Sequence, residues 1–170
     1  NNNFPIMIDE EGATVSRLTN IMNHNITASF FGSLYKRDKT LCTNVYKEYL
    51  NSLSLILKDL GINMNTIPVL DILKHYTNKI IGNRSFSNDK KVVTELGKLT
   101  IKYLNLNRIG GVIKHIPGHG SAKEDSHKKM PKVSLDKKKL RQIDFFPFKS
   151  VKAKFAMTAH ILYQKFDSKN

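Results

Sequence analysis

The stretch from Lys114 to His127 reads Lys-His-Ile-Pro-Gly-His-Gly-Ser-Ala-Lys-Glu-Asp-Ser-His, placing three histidines, two acids and two lysines within fourteen positions. Two glycines and a proline give it the composition of a loop rather than of a packed element. Asp125 and His127 are two residues apart. In extended chain, positions i and i+2 project to the same side, so carboxylate and imidazole can lie next to each other. The acid would fix the ring's tautomer and raise its pKa, making His127 a proton donor poised near neutrality. That arrangement suits general acid/base catalysis. The same pair also occurs in solvated loops without chemistry. The upstream glycines, which would let the loop open and close over a substrate, weigh toward function.

Other residues could contribute. His115 and His119 are four apart, a spacing that suits a metal only on a helix, and Pro117-Gly118 between them argues against one. We therefore expect neither a metal nor a cofactor. Gly118-His119-Gly120-Ser121 does not match the Gly-x-Ser-x-Gly elbow of a serine hydrolase. Asp9, Arg17, Arg84 and Lys114 are ordinary residues singly. If they converged, they would line a pocket rim with groups suited to a polyhydroxylated ligand.

The elements that must position these groups alternate. Phe4–Ile8 is a near-continuous apolar run, read as a buried strand ending at Asp9. Residues 19–40 show no sustained period and are read as loop with short helical pieces. From Leu41 to Leu60 a helical pattern puts Leu41, Val45, Tyr49, Leu53, Ile56, Leu57 and Leu60 on one face, with Gly61 as its stop. Ile62–Leu70 reads as a second strand ending before Asp71, and residues 78–88 as a polar loop carrying Arg84. A second helix, from about Asp89 to Leu104, turns Val92, Val93, Leu96, Leu99 and Tyr103 inward. The third strand, Gly111–His115, feeds the loop described first. Ser134 is read as the N-cap of a lysine-rich helix through Phe146, with Leu140 and Ile143 inward and Pro147 interrupting or ending it. Phe155–His160 is a fourth strand. This alternation is the pattern of a parallel α/β architecture, whose sites lie beyond the C-terminal ends of the strands. No Gly-x-Gly-x-x-Gly turn or Walker loop follows any strand, so a nucleotide-binding sheet has no support.

Composition sets bounds. The 170 residues suit one domain, with 40% hydrophobic and 25% charged residues, near globular norms. The single cysteine, Cys42, excludes an internal disulfide and is expected to be buried and inert. No run approaches the ~18–20 apolar residues of a membrane span, and no signal peptide is visible. The net charge of +14 raises a nucleic-acid reading. Against it, the lysines are scattered and no aromatics are interleaved with them as a stacking platform. A lysine-coated globular surface is the simpler account.

Five segments, in order, resemble the signatures of family-three glycoside hydrolases, in the bacterial β-N-acetylglucosaminidase (β-N-acetylhexosaminidase) branch. Lys114–Gly120 followed by Asp125-Ser126-His127 is similar to that branch's acid/base loop. Ile8–Gly12 with Arg17 resembles its Asp-Gln-Glu-Gly-Gly-Arg-Val-x-Arg segment, although Ala13 and Thr14 stand where the family has Gly and Arg. Pro68–Asp71 resembles Ala-Pro-Val-Leu-Asp, Ile81–Phe86 a Gly-x-Arg-Ser-Phe/Tyr loop, and Met157–His160 a Met-x-Ala-His strand.

The resemblance implies a TIM-type (β/α)8 barrel and a retaining mechanism. His127 would be the proton donor and later base, with Asp125 orienting and charging it. Asp9, Arg17, Arg84, Lys114 and His115 would hold the sugar. Adjacent strand residues point opposite ways, so Lys114 and His115 can both face a sugar only if the strand end kinks. The family's nucleophile is an aspartate in a Ser-Asp-Asp-Leu-like segment, and residues 1–170 contain none. A whole barrel needs about 200 residues or more. We therefore expect residues 1–170 to be the central part of one catalytic domain, about four of its parallel strands with their helices, lacking the first strands and the nucleophile-bearing ones. Such a fragment would be inactive alone. The implied substrate is a carbohydrate, an N-acetylglucosamine-containing muropeptide of peptidoglycan recycling or a chitooligosaccharide. The implied setting is a cytoplasmic enzyme without a membrane partner, monomeric when full length. The alternative is a noncatalytic carbohydrate- or nucleic-acid-binding module on the same scaffold.

Overall fold

The structure, a computed structural model, describes residues 4–22, 25–123 and 130–166. In chain order its elements are β1 (Met7–Ile8), α1 (Ala28–Arg37), α2 (Lys39–Asp59), β2 (Met64–Asn65), α3 (Lys90–Leu106), β3 (Gly110–Ile116), β4 (Lys132–Val133), α4 (Lys137–Gln142), α5 (Phe146–Ser150), β5 (Phe155–Thr158) and β6 (Leu162–Tyr163), with a 3-10 turn at Gly82–Arg84. Strands β1, β2, β3 and β5 form one sheet in that order, each pair parallel. Helices α1 and α2 connect β1 to β2, α3 connects β2 to β3, and α4 and α5 lie between β3 and β5. All four strand ends that follow an apolar run therefore point the same way, as the alternation requires. A second pair, β4 with β6, is also parallel and was not foreseen from the sequence.

The core lies between the sheet and α2 and α3. Leu50, Leu53 and Leu57 of α2 pack with Val93, Leu96 and Leu104 of α3 and with Leu70 and Ile113 from the sheet side. Cys42 is buried there and its thiol donates to the Phe31 carbonyl. Carboxylates cap α2 and α3: Asp38 accepts from the Leu41 amide and Asp89 from the Lys91 amide. Gly61, at φ +74, ends α2 where it was expected to.

Several expectations are corrected. Residues 28–37 form a full helix, capped by Thr27, whose side chain accepts from the Phe30 amide. Its buried positions are few, Phe31 and Gly32, so it leaves little periodic signal. The buried face of α2 runs through Cys42, Tyr46, Leu50, Leu53 and Leu57, whereas Leu41, Val45 and Leu60 are exposed. Apolar residues occupy more than one side of this helix, and tertiary packing selected the face one residue over. Ser54 is buried at no cost because its hydroxyl donates to the Leu50 carbonyl. The run at Phe4–Ile8 belongs to an outer strand, and Phe4 is 79% exposed. The lysine-rich helix is split into α4 and α5. Asp136, not Ser134, caps α4, accepting from the Lys138 and Lys139 amides. Pro147 opens α5 rather than closing the preceding helix, because a first-turn residue needs no amide hydrogen. Leu140 is buried as expected, but Ile143 is exposed.

Candidate active site

The C-terminal ends of β1, β3 and β5, with residues 79–84 of the segment that follows β2, open onto a cleft of about 510 Å³. Asp9 and Arg17 reach it from the segment after β1, Arg84 from the 3-10 turn, and Lys114 and His115 from β3. All five residues expected to contact sugar thus line one cavity, together with Met157–His160 at the end of β5. The expected kink is present. The register of β3 against β5 shifts between Lys114 and Ile116, the Lys114–His115 peptide is cis, and both side chains face the cleft.

Lys114 is the buried centre of the site, 1% exposed. Its ammonium donates to Asp9 Oδ1 at 2.9 Å and to Thr66 Oγ1 at 2.7 Å, and pairs with Glu11 Oε1 at 2.5 Å. The Thr66 hydroxyl in turn donates to Asp9. Burial works to raise the Asp9 pKa, but the bonds from Thr66 and Lys114 more than offset it, holding the carboxyl below its ordinary value. Arg84 grips Glu11 with a fork, Nε to Oε2 at 2.7 Å and Nη2 to Oε1 at 2.9 Å, and its Nη1 donates to the Ile80 carbonyl.

A second network orients His115. Leu70 donates its amide to the Lys114 carbonyl, and the Lys114 amide donates to Pro68, so residues 68–71 run beside β3. That places Asp71, fully buried, against the His115 ring, with Oδ2 2.6 Å from Nδ1. The other oxygen accepts from the His119 amide at 2.6 Å. Burial pushes the Asp71 pKa up, and the His115 ring and the His119 amide outweigh it, so the carboxyl titrates below its usual range. An ionised carboxylate only accepts, so His115 carries its proton on Nδ1, which leaves Nε2 as the nitrogen without a partner among the described residues. His119 is buried, edge-on to the His115 ring with centroids 6.0 Å apart, and burial lowers its pKa.

The acid/base pair proposed from sequence, Asp125 and His127, lies outside the described residues. The approach to it is described through Lys123. A Cβ on Gly118 would sit 2.8 Å from the Asp144 carbonyl oxygen, and one on Gly120 would sit 2.1 Å from that of Ile72. These glycines admit close backbone packing, a role distinct from the mobility read in the sequence. Ser121 donates to the buried Asp144, which also pairs with Lys74 at 2.6 Å. Thr77 donates to the Gly120 carbonyl and Asn78 to that of Lys123.

Sequence reasoning quoted Glu11 and Asp71 within motifs but gave neither a role. Each follows a strand end, the one signal that pointed to them. His160 likewise ends a strand and a quoted motif, whereas Thr66 and Lys79 gave no signal of their own.

Parallel strands that deliver acids and cations to one cleft at their C-terminal ends are the plan of a TIM-type α/β enzyme domain. The chain belongs to glycosyl hydrolase family 3: the model of that family's N-terminal domain matches residues 5–170. It is 35% identical over 169 residues to beta-hexosaminidase A of Pseudoalteromonas piscicida, covering 96% of this chain and 28% of that protein. Native NagZ from Neisseria gonorrhoeae superposes with a TM-score of 0.89 at 28% identity, over 97% of this chain and 49% of that one. The same enzyme in complex with N-trifluoroacetyl-D-glucosamine gives a TM-score of 0.86 at 28% identity, over 97% and 50%. The chain therefore spans about half the length of NagZ and less of the first relative.

Proposed function

We propose that this chain is the central part of a retaining, exo-acting β-N-acetylglucosaminidase domain that removes terminal N-acetyl-β-D-glucosamine from peptidoglycan fragments. The observation that carries the reading is the convergence of Asp9, Arg17, Arg84, Lys114 and His115 on one cleft in a family 3 chain. A relative bound to an N-acetylglucosamine analogue supports the choice of sugar. Arg17 and Arg84 donate hydrogen bonds to hydroxyls, and Asp9 and the Nε2 of His115 accept them. His127, charged and oriented by Asp125, protonates the leaving oxygen and later deprotonates water. The attacking carboxylate is the family's Ser-Asp-Asp-type aspartate, which residues 1–170 do not contain. The chain alone is accordingly expected to bind sugar and not to turn it over. A cytoplasmic, monomeric enzyme of cell-wall recycling is the setting this reading implies. No helix among the described residues is long and apolar enough to cross a membrane.

Titrating the chain with N-acetyl-D-glucosamine tests this, with an aryl N-acetyl-β-glucosaminide assayed alongside. Saturable binding without hydrolysis is the expected result, and hydrolysis at an ordinary enzymic rate would overturn the assignment of the nucleophile. The second reading is a noncatalytic carbohydrate-binding module on the same scaffold, which sugar binding without turnover in a polypeptide that supplies the Ser-Asp-Asp strand would select.

A further inference from the structure

One oxygen of Glu11 is shared. Oε1 lies 2.5 Å from the Lys114 ammonium and accepts from Arg84 Nη2 at 2.9 Å, while Oε2 accepts from Arg84 Nε at 2.7 Å. The Glu11 side chain lies at the cleft wall but is only 5% exposed, covered by the cations it holds. We propose that Glu11 is a positioning residue for sugar recognition, holding Arg84 and Lys114 in one clamp so that Arg84 and Asp9 present fixed hydrogen-bonding edges to the ligand. The inference rests on the reading of the cleft as a sugar site.

The charges make the case. Lys114 and Arg84 are two cations brought together where water is largely excluded, and like charges in such a place repel strongly. A single carboxylate between them removes the repulsion and sets the geometry of both. The fork on Arg84 is directional, because a planar guanidinium against a planar carboxylate fixes the plane of both groups. Of the five N–H groups of Arg84, the described residues accept three, two at Glu11 and one at the Ile80 carbonyl. The two that remain belong to a guanidinium whose plane Glu11 dictates. Lys114 passes the same constraint to Asp9, which it holds at 2.9 Å and indirectly through Thr66. Glu11 thus sits one bond behind Arg84, Lys114 and, through Lys114, Asp9, with little surface of its own to offer a ligand.

The test is the affinity of the chain for N-acetyl-D-glucosamine, measured by NMR titration on wild type, Glu11→Gln, Arg84→Gln and the double variant, with melting temperatures taken in parallel. Glu11→Gln removes the shared charge at nearly constant volume and should weaken binding at least tenfold while the protein remains folded. Once Arg84 is replaced, the Glu11 change should cost much less, since the clamp is already open. Glu11→Asp, which keeps the charge on a shorter arm, should recover part of the loss. A folded Glu11→Gln variant with wild-type affinity, or losses that simply add in the double variant, would overturn the inference and leave the sugar-site reading intact. No binding by wild type would overturn the sugar-site reading itself and the inference with it. Should Glu11→Gln not fold, Arg84→Lys probes the clamp from its other side. It keeps the charge but loses the fork, and unchanged affinity there would overturn the inference equally.

Discussion

The Asp71 carboxylate, without exposed surface, lies 2.6 Å from His115 Nδ1 and accepts the His119 amide through its other oxygen. One side chain therefore ties the end of β3 to the loop that leads toward the candidate acid/base pair. Replacing Asp71 by Ala would strip the His115 ring and the His119 amide of their partner. A bond to a charged group contributes about 1.5–3 kcal/mol, so Asp71→Ala should cost roughly 2–3 kcal/mol in urea unfolding. Sugar affinity should fall as the His115 ring loses its orientation. Unchanged stability would show that the pair is incidental.

The same residue sets an acid dependence. The folded state holds the Asp71 pKa below its ordinary value. A depressed carboxyl binds protons more weakly when folded than when unfolded, so its contribution is fully present above about pH 4 and is lost as pH falls through the folded value. Asp9 acts in the same direction from a more exposed position. The stability gap between wild type and Asp71→Asn should consequently be widest near neutrality and narrow on acidification from pH 5 to pH 2. A gap that stays constant over that range would rule out the linkage.

How these contacts escaped the sequence is instructive. Apolar runs ending in Asp9, Asp71 and Lys114-His115 announced parallel strands and the side on which a site would form. Residue type at each end was legible; partners were not. Lys114 and Asp9 meet across 105 residues of chain, and Arg84 and Glu11 across 73. No periodicity reports such pairings, so Glu11 remained one acid among several in a polar turn. Local rules failed where tertiary packing chose among equals, as in the face of α2, or where a helix buried almost nothing, as in α1. The kink at Lys114-His115 could be demanded from the family's use of both residues, while its form had to come from the structure.

Asp144 and Lys74 offer a test of the loop's foot. Their side chains are nearly buried, paired at 2.6 Å, and Asp144 also accepts from Ser121. Breaking a buried pair from one side strands the other charge, at a cost of about 3–5 kcal/mol. Lys74→Met should therefore destabilise by about 3 kcal/mol, and adding Asp144→Leu should restore much of that loss. A double-mutant cycle in denaturant measures the coupling. Additive losses would mean that Lys74 and Asp144 are neighbours without dependence.

The final prediction concerns Asp125 and His127, and needs a polypeptide that supplies the family's nucleophile-bearing strand. Proton transfer by a positioned side chain contributes about 10²–10⁴-fold. His127→Ala should slow hydrolysis by that order for alkyl and sugar leaving groups, whose oxygen must be protonated as the bond breaks. Aryl leaving groups of low pKa depart as anions, so glycosyl transfer to the enzyme should be nearly spared with them, and the sugar-enzyme intermediate should accumulate as an initial burst because the base that activates water is gone. Asp125→Asn keeps the ring in place but removes the charge that sustains its protonated form, so its loss should be smaller and its pH–rate profile shifted to lower pH. If both variants hydrolysed poor leaving groups at the wild-type rate, protonation would have to come from another group at the cleft. His160, which lines it beside Ala159, would be the first residue to replace.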